Sequence, residues 1–178
     1  MRDRIYLLTL LFFLLSFLSL AQEPLAPRPS PLAIAAIRYK DAYIKVTYGQ
    51  PQKKGREVFG SLVPYGKVWR TGANEATEIT TTRDIQINGS LLKAGTYSLF
   101  TIPEKNKWTI IINSEPGLWG AYNYNQKLDV LRFDVPVQAI AGVVFEALTI
   151  QFDPQNNTAS LLIMWDRTKV SIPVKFLN

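Results

Sequence analysis

The feature that most constrains this chain is an alternation of apolar and polar residues with a period of two. Ala42, Ile44, Val46 and Tyr48 alternate with Tyr43, Lys45 and Thr47, and Leu131, Phe133, Val135 and Val137 repeat the pattern. It returns in Leu148, Ile150 and Phe152, in Ala159, Leu161, Ile163 and Trp165, and in Val170, Ile172, Val174 and Phe176. Successive side chains of a strand point to opposite faces, so this period marks strands with one face buried. No stretch long enough for a major helix shows a 3.6-residue period. Turn signals separate the runs: Lys40-Asp41, Asn88-Gly89, Lys93-Ala94-Gly95, Glu104 to Lys107, Asp153 to Asn157, and Asp166-Arg167. Short strands joined by such turns form antiparallel hairpins, and nine or ten strands are expected. The expected fold is all-β, an antiparallel β-sandwich over residues 32–178 with one long ordered excursion; a partly open β-barrel is the alternative. Gly95-Thr96-Tyr97 opens a strand directly after a turn, where a tyrosine corner sends its hydroxyl back to the backbone.

Two absences remove whole classes of chemistry. The 178 residues include neither His nor Cys. There is therefore no Ser-His-Asp or Cys-His triad, no zinc site built on imidazole or thiolate, and no disulfide framework. Chemistry is left to carboxylates, Lys, Arg, Tyr and hydroxyls. No metal site and no cofactor is expected, and no Walker A or GxGxxG pattern occurs.

The N-terminus reads as an address. Met1-Arg2-Asp3-Arg4 precede an apolar run from Ile5 to Leu20, and Ser19 and Ala21 supply the small residues that a signal peptidase reads. Residues 1–21 are expected to be a Sec-type signal peptide. The 16-residue run is shorter than the ~20 residues of a membrane-spanning helix, so no stable membrane anchor is expected after cleavage. Without Arg2, Asp3 and Arg4 the 20 basic and 14 acidic residues fall to 18 and 13, a net +5. Export to the periplasm or medium separates this charge from cytoplasmic nucleic acid, so no nucleic-acid partner is expected. Residues 22–31 form a linker; four of the eight residues from Pro24 to Pro31 are proline, which favours a semi-rigid spacer.

Two segments do not read as hairpins. Gly49 to Glu75 spans 27 residues with neither period. Loops beyond ~12–15 residues in a compact domain are functional or disordered. Val58, Phe59, Leu62, Val63, Val68 and Trp69 are too apolar to stay in water, so an ordered excursion packed over one end or edge of the sandwich is expected. The second segment, Asn113 to Asp129, sets Trp119, Tyr122 and Tyr124 among Asn113, Asn123, Asn125 and Gln126. Aromatic rings interleaved with amides suit a ligand with apolar faces and a hydroxyl rim, such as a sugar, but composition favours the simpler reading that these rings cap the core beneath the loop.

Four runs resemble a known family: Lys54-Gly55-Arg56 with Phe59-Gly60, Leu62-Val63-Pro64-Tyr65-Gly66, the nine residues Trp69-Arg70-Thr71-Gly72-Ala73-Asn74-Glu75-Ala76-Thr77, and Ala94-Gly95-Thr96-Tyr97-Ser98-Leu99. Together they resemble the domain-of-unknown-function family 2911, from about Ser30 to the C-terminus. The resemblance implies an exported β-rich protein of an outer-membraned bacterium. It implies no reaction and brings no catalytic residues.

Arg56, Arg70 and Glu75 are charges set among apolar residues and glycines. Two readings stand side by side. In one, Arg70 and Glu75 form a structural ion pair while Asn74 bonds the loop's own backbone through an Asx-type turn. In the other, Arg70 and Arg56 grip an anionic or hydroxyl-rich ligand and Glu75 accepts a hydrogen bond or proton. The expected ligand-binding set is Arg56, Tyr65, Trp69, Arg70, Asn74, Glu75, Trp119 and Tyr122, lying where the two long segments meet. The leading functional class is an exported small-molecule or glycan binding module of the cell envelope. A carboxylate-dependent hydrolase is the second class, with Glu75 as one acid and Asp129, Asp134, Glu115 and Glu146 undifferentiated for the other. A structural or envelope-interaction sandwich is the third. Ser90-Leu91-Leu92-Lys93 matches an SxxK pattern but lies in hairpin context, and Asp153 to Asn157 is more simply a turn than a calcium loop.

Overall fold

A computed structural model describes residues 26–177 of the chain; the expected signal peptide and its cleavage point lie outside the described residues. Twelve strands follow in order: β1 (Leu32–Tyr39), β2 (Ala42–Gly49), β3 (Thr77–Thr81), β4 (Ile85–Ile87), β5 (Ser90–Leu92), β6 (Gly95–Pro103), β7 (Lys107–Asn113), β8 (Asp129–Pro136), β9 (Gln138–Ala139), β10 (Phe145–Gln155), β11 (Thr158–Asp166) and β12 (Thr168–Phe176). They form two antiparallel sheets, ordered β1-β2-β3-β6-β7-β8 and β10-β11-β12-β4-β5, with β9 beside β12. The architecture is a β-sandwich and not a closed barrel. The strands beyond the expected nine or ten are short ones, such as β4, β5 and β9, too brief to display a period.

The alternation places the core. Ile44, Val46, Ile79, Ile110 and Ile112 of the first sheet face Leu148, Ile150, Leu161, Ile163, Val170 and Ile172 of the second in one buried cluster. Asn88 and Gly89 both take positive φ, 48° and 80°, as a two-residue hairpin matching strand twist requires. The expected turn over Asp153 to Asn157 contracts to Asn156-Asn157, because β10 continues to Gln155. The tyrosine corner is present: the Tyr97 hydroxyl donates to the Lys93 carbonyl at 3.1 Å.

β6 and β7 depart from simple alternation. Leu99-Phe100 and Ile110-Ile111-Ile112 are buried at consecutive positions, which demands cover on both faces. The cover is supplied by the two long segments. Phe100, Ile111 and Ala76 form a second, smaller core on the outer face of the sheet, and Val68, Leu118, Ala121 and Tyr124 pack against it. Val58, Phe59, Val63 and Trp69 enter the main core instead. Leu62, expected inside, is 39% exposed.

Candidate ligand-binding site

The run from Trp69 to Thr77 leaves and re-enters the sheet within two residues of β6. Trp69 exchanges both backbone hydrogen bonds with Thr101, at 2.7 and 3.0 Å, while Thr77 pairs with Leu99. The intervening residues are expelled as a tight loop, closed at its neck by Thr77 N–H donating to the Arg70 carbonyl at 3.0 Å. Arg70 therefore sits where the loop begins, on backbone anchored from both sides.

Small residues let the loop lie on the end of β2. A Cβ on Gly49 would fall 2.0 Å from the Ala73 carbonyl oxygen, and one on Gly72 would fall 2.9 Å from the Gly49 oxygen. At this crossing only glycine fits. Thr71 takes φ 55°, a left-handed conformation that costs a β-branched residue about 1–3 kcal/mol. It is fully buried and held there, its hydroxyl 3.1 Å from that of Thr101 and its carbonyl accepting from Thr77 Oγ1 at 2.9 Å.

The other polar side chains of the run find protein partners. The Trp69 indole N–H donates to the Gly72 carbonyl at 3.1 Å, and the Asn74 amide donates to the Ser30 carbonyl at 3.2 Å. Both Glu75 oxygens accept from Arg28 Nη1, at 2.7 and 2.9 Å. Arg70 is different: its Nε–H is buried and has no hydrogen-bond partner among the described residues. Buried polar groups are paired in the great majority of proteins, and an orphaned one costs about 1–3 kcal/mol, more when charged.

Arg70 borders a cleft of about 220 Å³. Trp69 and Trp165 form one side, their rings stacked 5.9 Å apart. Leu62, Val63 and Pro51 add apolar wall, Arg56 a second guanidinium, and Ser30 closes the cleft from the N-terminal segment. Arg56 is steadied by donating from Nε to the Lys53 carbonyl at 2.9 Å and from Nη2 to the Gln52 carbonyl at 2.6 Å. Two arginines thus border a wall with no carboxylate among the described residues. The geometry suits an anion carrying an apolar body.

The eight residues expected at the site separate into three places. Arg56, Trp69 and Arg70 line the cleft. Asn74, Glu75, Trp119 and Tyr122 belong to the outer junction of the two long segments, where Glu75 and Trp119 form a β-bridge and Gly120 N–H donates to the Asn74 carbonyl at 3.0 Å. Tyr65 packs against the main core with its ring against Gly60, where a Cβ would meet it at 2.8 Å. The expected Arg70–Glu75 pair does not form, since Arg28 occupies the carboxylate. The Asn74 amide donates outside its own loop, to the Ser30 carbonyl. Trp119 and Tyr122 do not cap the core: they are 58% and 84% exposed.

The electrostatics agree with this division. The backbone N–H of Glu75, followed by the Arg28 guanidinium, holds its carboxyl below the ordinary 4.5. It stays ionised near neutrality and is not poised to donate a proton. Beneath the second loop, Tyr124 donates to Asp129 Oδ2 at 2.7 Å, Arg132 reaches both, and the Asn113 amide donates to Asp129 Oδ1 at 2.9 Å. Burial, then the Asp129 hydrogen bond, pushes the Tyr124 phenol up to about 12. This is a satisfied structural network that pins the loop.

Sequence reasoning missed Ser30, Trp165 and Arg28. Trp165 reads as an ordinary inward residue of an alternating strand. Arg28 had one faint signal, as the sole charge between Pro24 and Pro31.

Fold and site together define an antiparallel β-sandwich bearing an arginine-edged cleft beneath a glycine-rich loop. The chain belongs to the family described as Protein of unknown function (DUF2911), whose profile matches residues 30–174. No curated protein and no solved structure matches it.

Proposed function

We propose that this protein is an exported binding module of the cell envelope, and that its ligand is a small anion with a compact apolar group, held in the Arg70 cleft. One observation carries the reading: Arg70, whose Nε–H has no partner among the described residues in a run whose other polar side chains are paired, lines a cleft with no carboxylate among its described wall residues. A carboxylate or phosphate oxygen pairs with such a guanidinium, whose plane favours a two-point grip. The indole, Leu and Val walls favour an apolar body. The cleft is smaller than the ~300–1,000 Å³ of drug-sized sites, so the ligand is small. The address rests on the leader-like residues 1–21.

Tryptophan fluorescence tests this, because Trp69 and Trp165 form the wall. Benzoate and inorganic phosphate are titrated separately into wild type and Arg70→Met. A saturable change with at least one anion, lost in Arg70→Met at an unchanged melting temperature, supports the proposal. No saturable change with either anion, or an equal response in the variant, contradicts it.

The exposure of Trp119 and Tyr122 favours a second reading, in which the outer junction stacks on a glycan. Binding of a neutral oligosaccharide that is lost in Trp119→Ala but kept in Arg70→Met supports that reading.

A further inference from the structure

The cleft is bordered partly by a stretch of chain whose composition reads as a semi-rigid spacer. Ser30 contributes to the cleft wall, and the chain is fastened on both sides of it. Before Ser30, Arg28 Nη1 donates to both oxygens of Glu75 at 2.7 and 2.9 Å. After it, the Pro31 carbonyl accepts from Gln50 N–H at 2.8 Å. At Ser30 itself the carbonyl accepts from the Asn74 amide at 3.2 Å, and Asn74 is held at φ 63°. Pro29 and Pro31 restrict the backbone on either side, so little conformational freedom is lost when the segment docks.

We infer that residues 28–31 are a strap that completes the Arg70 cleft, and that Glu75 is a positioning residue which latches the strap through Arg28. This rests on the reading of the cleft as the binding site, and gives Glu75 a role there without contact to the ligand. The two anchors differ in kind. Pro31 is tied by backbone where β1 begins. The Arg28–Glu75 pair is exposed on both sides, 55% and 42%, and exposed pairs are weak and screened by salt. The Arg28 end is therefore the one that opens, hinging the strap away from Trp69 and Trp165 while the sandwich stays folded. Residues 70 and 75 thereby act on one cleft, one by touching the ligand and the other by holding the wall.

Acrylamide quenching of tryptophan fluorescence tests the strap independently of any ligand, because acrylamide is neutral. All proteins carry Trp119→Phe, which removes the exposed indole. Glu75→Gln and Arg28→Ala are compared with Asp84→Asn, which weakens an equally superficial pair, Lys93–Asp84 at 2.8 Å, elsewhere. The expected result is a quenching constant at least doubled in Glu75→Gln and in Arg28→Ala. The double variant should go no further than either single change, and Asp84→Asn should match the parent. Unchanged quenching in both single variants, or an equal rise in Asp84→Asn, overturns the strap. Iodide quenching of the same proteins reads the anion site instead: a drop on Arg70→Met with no acrylamide effect from the latch variants keeps the binding site and discards the strap. An acrylamide effect without iodide sensitivity to Arg70 retains the strap as a cover and discards the anion.

Discussion

A methyl group on Gly49 would lie 2.0 Å from the carbonyl oxygen of Ala73, where the loop bearing Arg70 crosses the end of β2. The obstructing atom is backbone and the crossing is buried, so side-chain movement offers no relief. Ala73 N–H donates to the Gly49 carbonyl at 3.2 Å across the same contact. Gly49→Ala should therefore lower unfolding stability by about 1–3 kcal/mol or more, measured by urea denaturation. A change below about 0.5 kcal/mol would show that the loop does not depend on this contact.

Phe59 wedges among three indoles, with ring centroids 6.1 Å from Trp69, 4.9 Å from Trp108 and 6.2 Å from Trp165. Phe59→Ala should cost about 3–5 kcal/mol, the usual penalty for emptying an aromatic core position. It should also weaken the anion response, because Trp69 is the residue that precedes Arg70. Calorimetry and the benzoate and phosphate titrations check the two effects.

The Arg28–Glu75 latch has a defined pH window. Because the folded carboxyl titrates below 4.5, the pair's contribution is fully present above 4.5 and is lost as pH falls through the lower, folded value. Acrylamide quenching of the Trp119→Phe protein should rise in that acid range at a pH where circular dichroism still shows the folded sandwich. With Glu75→Gln added, the quenching should be high throughout and free of that pH step.

Tyr124 carries the opposite sign. Its phenol is raised from 10.0 to about 12 in the fold, so its contribution is fully present below pH 10 and fades as pH rises towards 12. Ultraviolet titration should show a late phenol ionisation at about pH 12. Tyr124→Phe should remove that late step and flatten the stability profile between pH 10 and 12.

The sandwich was legible because burial on one face writes itself into every second residue, as in Ile44-Val46-Tyr48 and Ile172-Val174-Phe176. The tyrosine corner was legible because its geometry is local, four residues from Tyr97 to Lys93. Phe100 and Ile111 show where alternation misleads, since their cover comes from loops that only the folded chain brings across the sheet. In the site, Arg56, Trp69 and Arg70 were readable as charge and aromatic among glycines. The partner of Glu75 was not, because Arg28 lies 47 residues away and pairing over that distance leaves no periodic mark.

Side-chain nitrogen NMR observes directly the Arg70 Nε–H, buried and without a partner among the described residues. Its proton–nitrogen correlation is assigned by its loss in Arg70→Met and followed while benzoate and phosphate are added to the wild-type protein. The expected result is an Arg70 resonance protected from solvent exchange that shifts saturably with at least one of the two anions, while that of Arg83, 61% exposed and paired with Asp41, stays in place. An Arg70 resonance that exchanges freely, or that moves with neither anion, would contradict it.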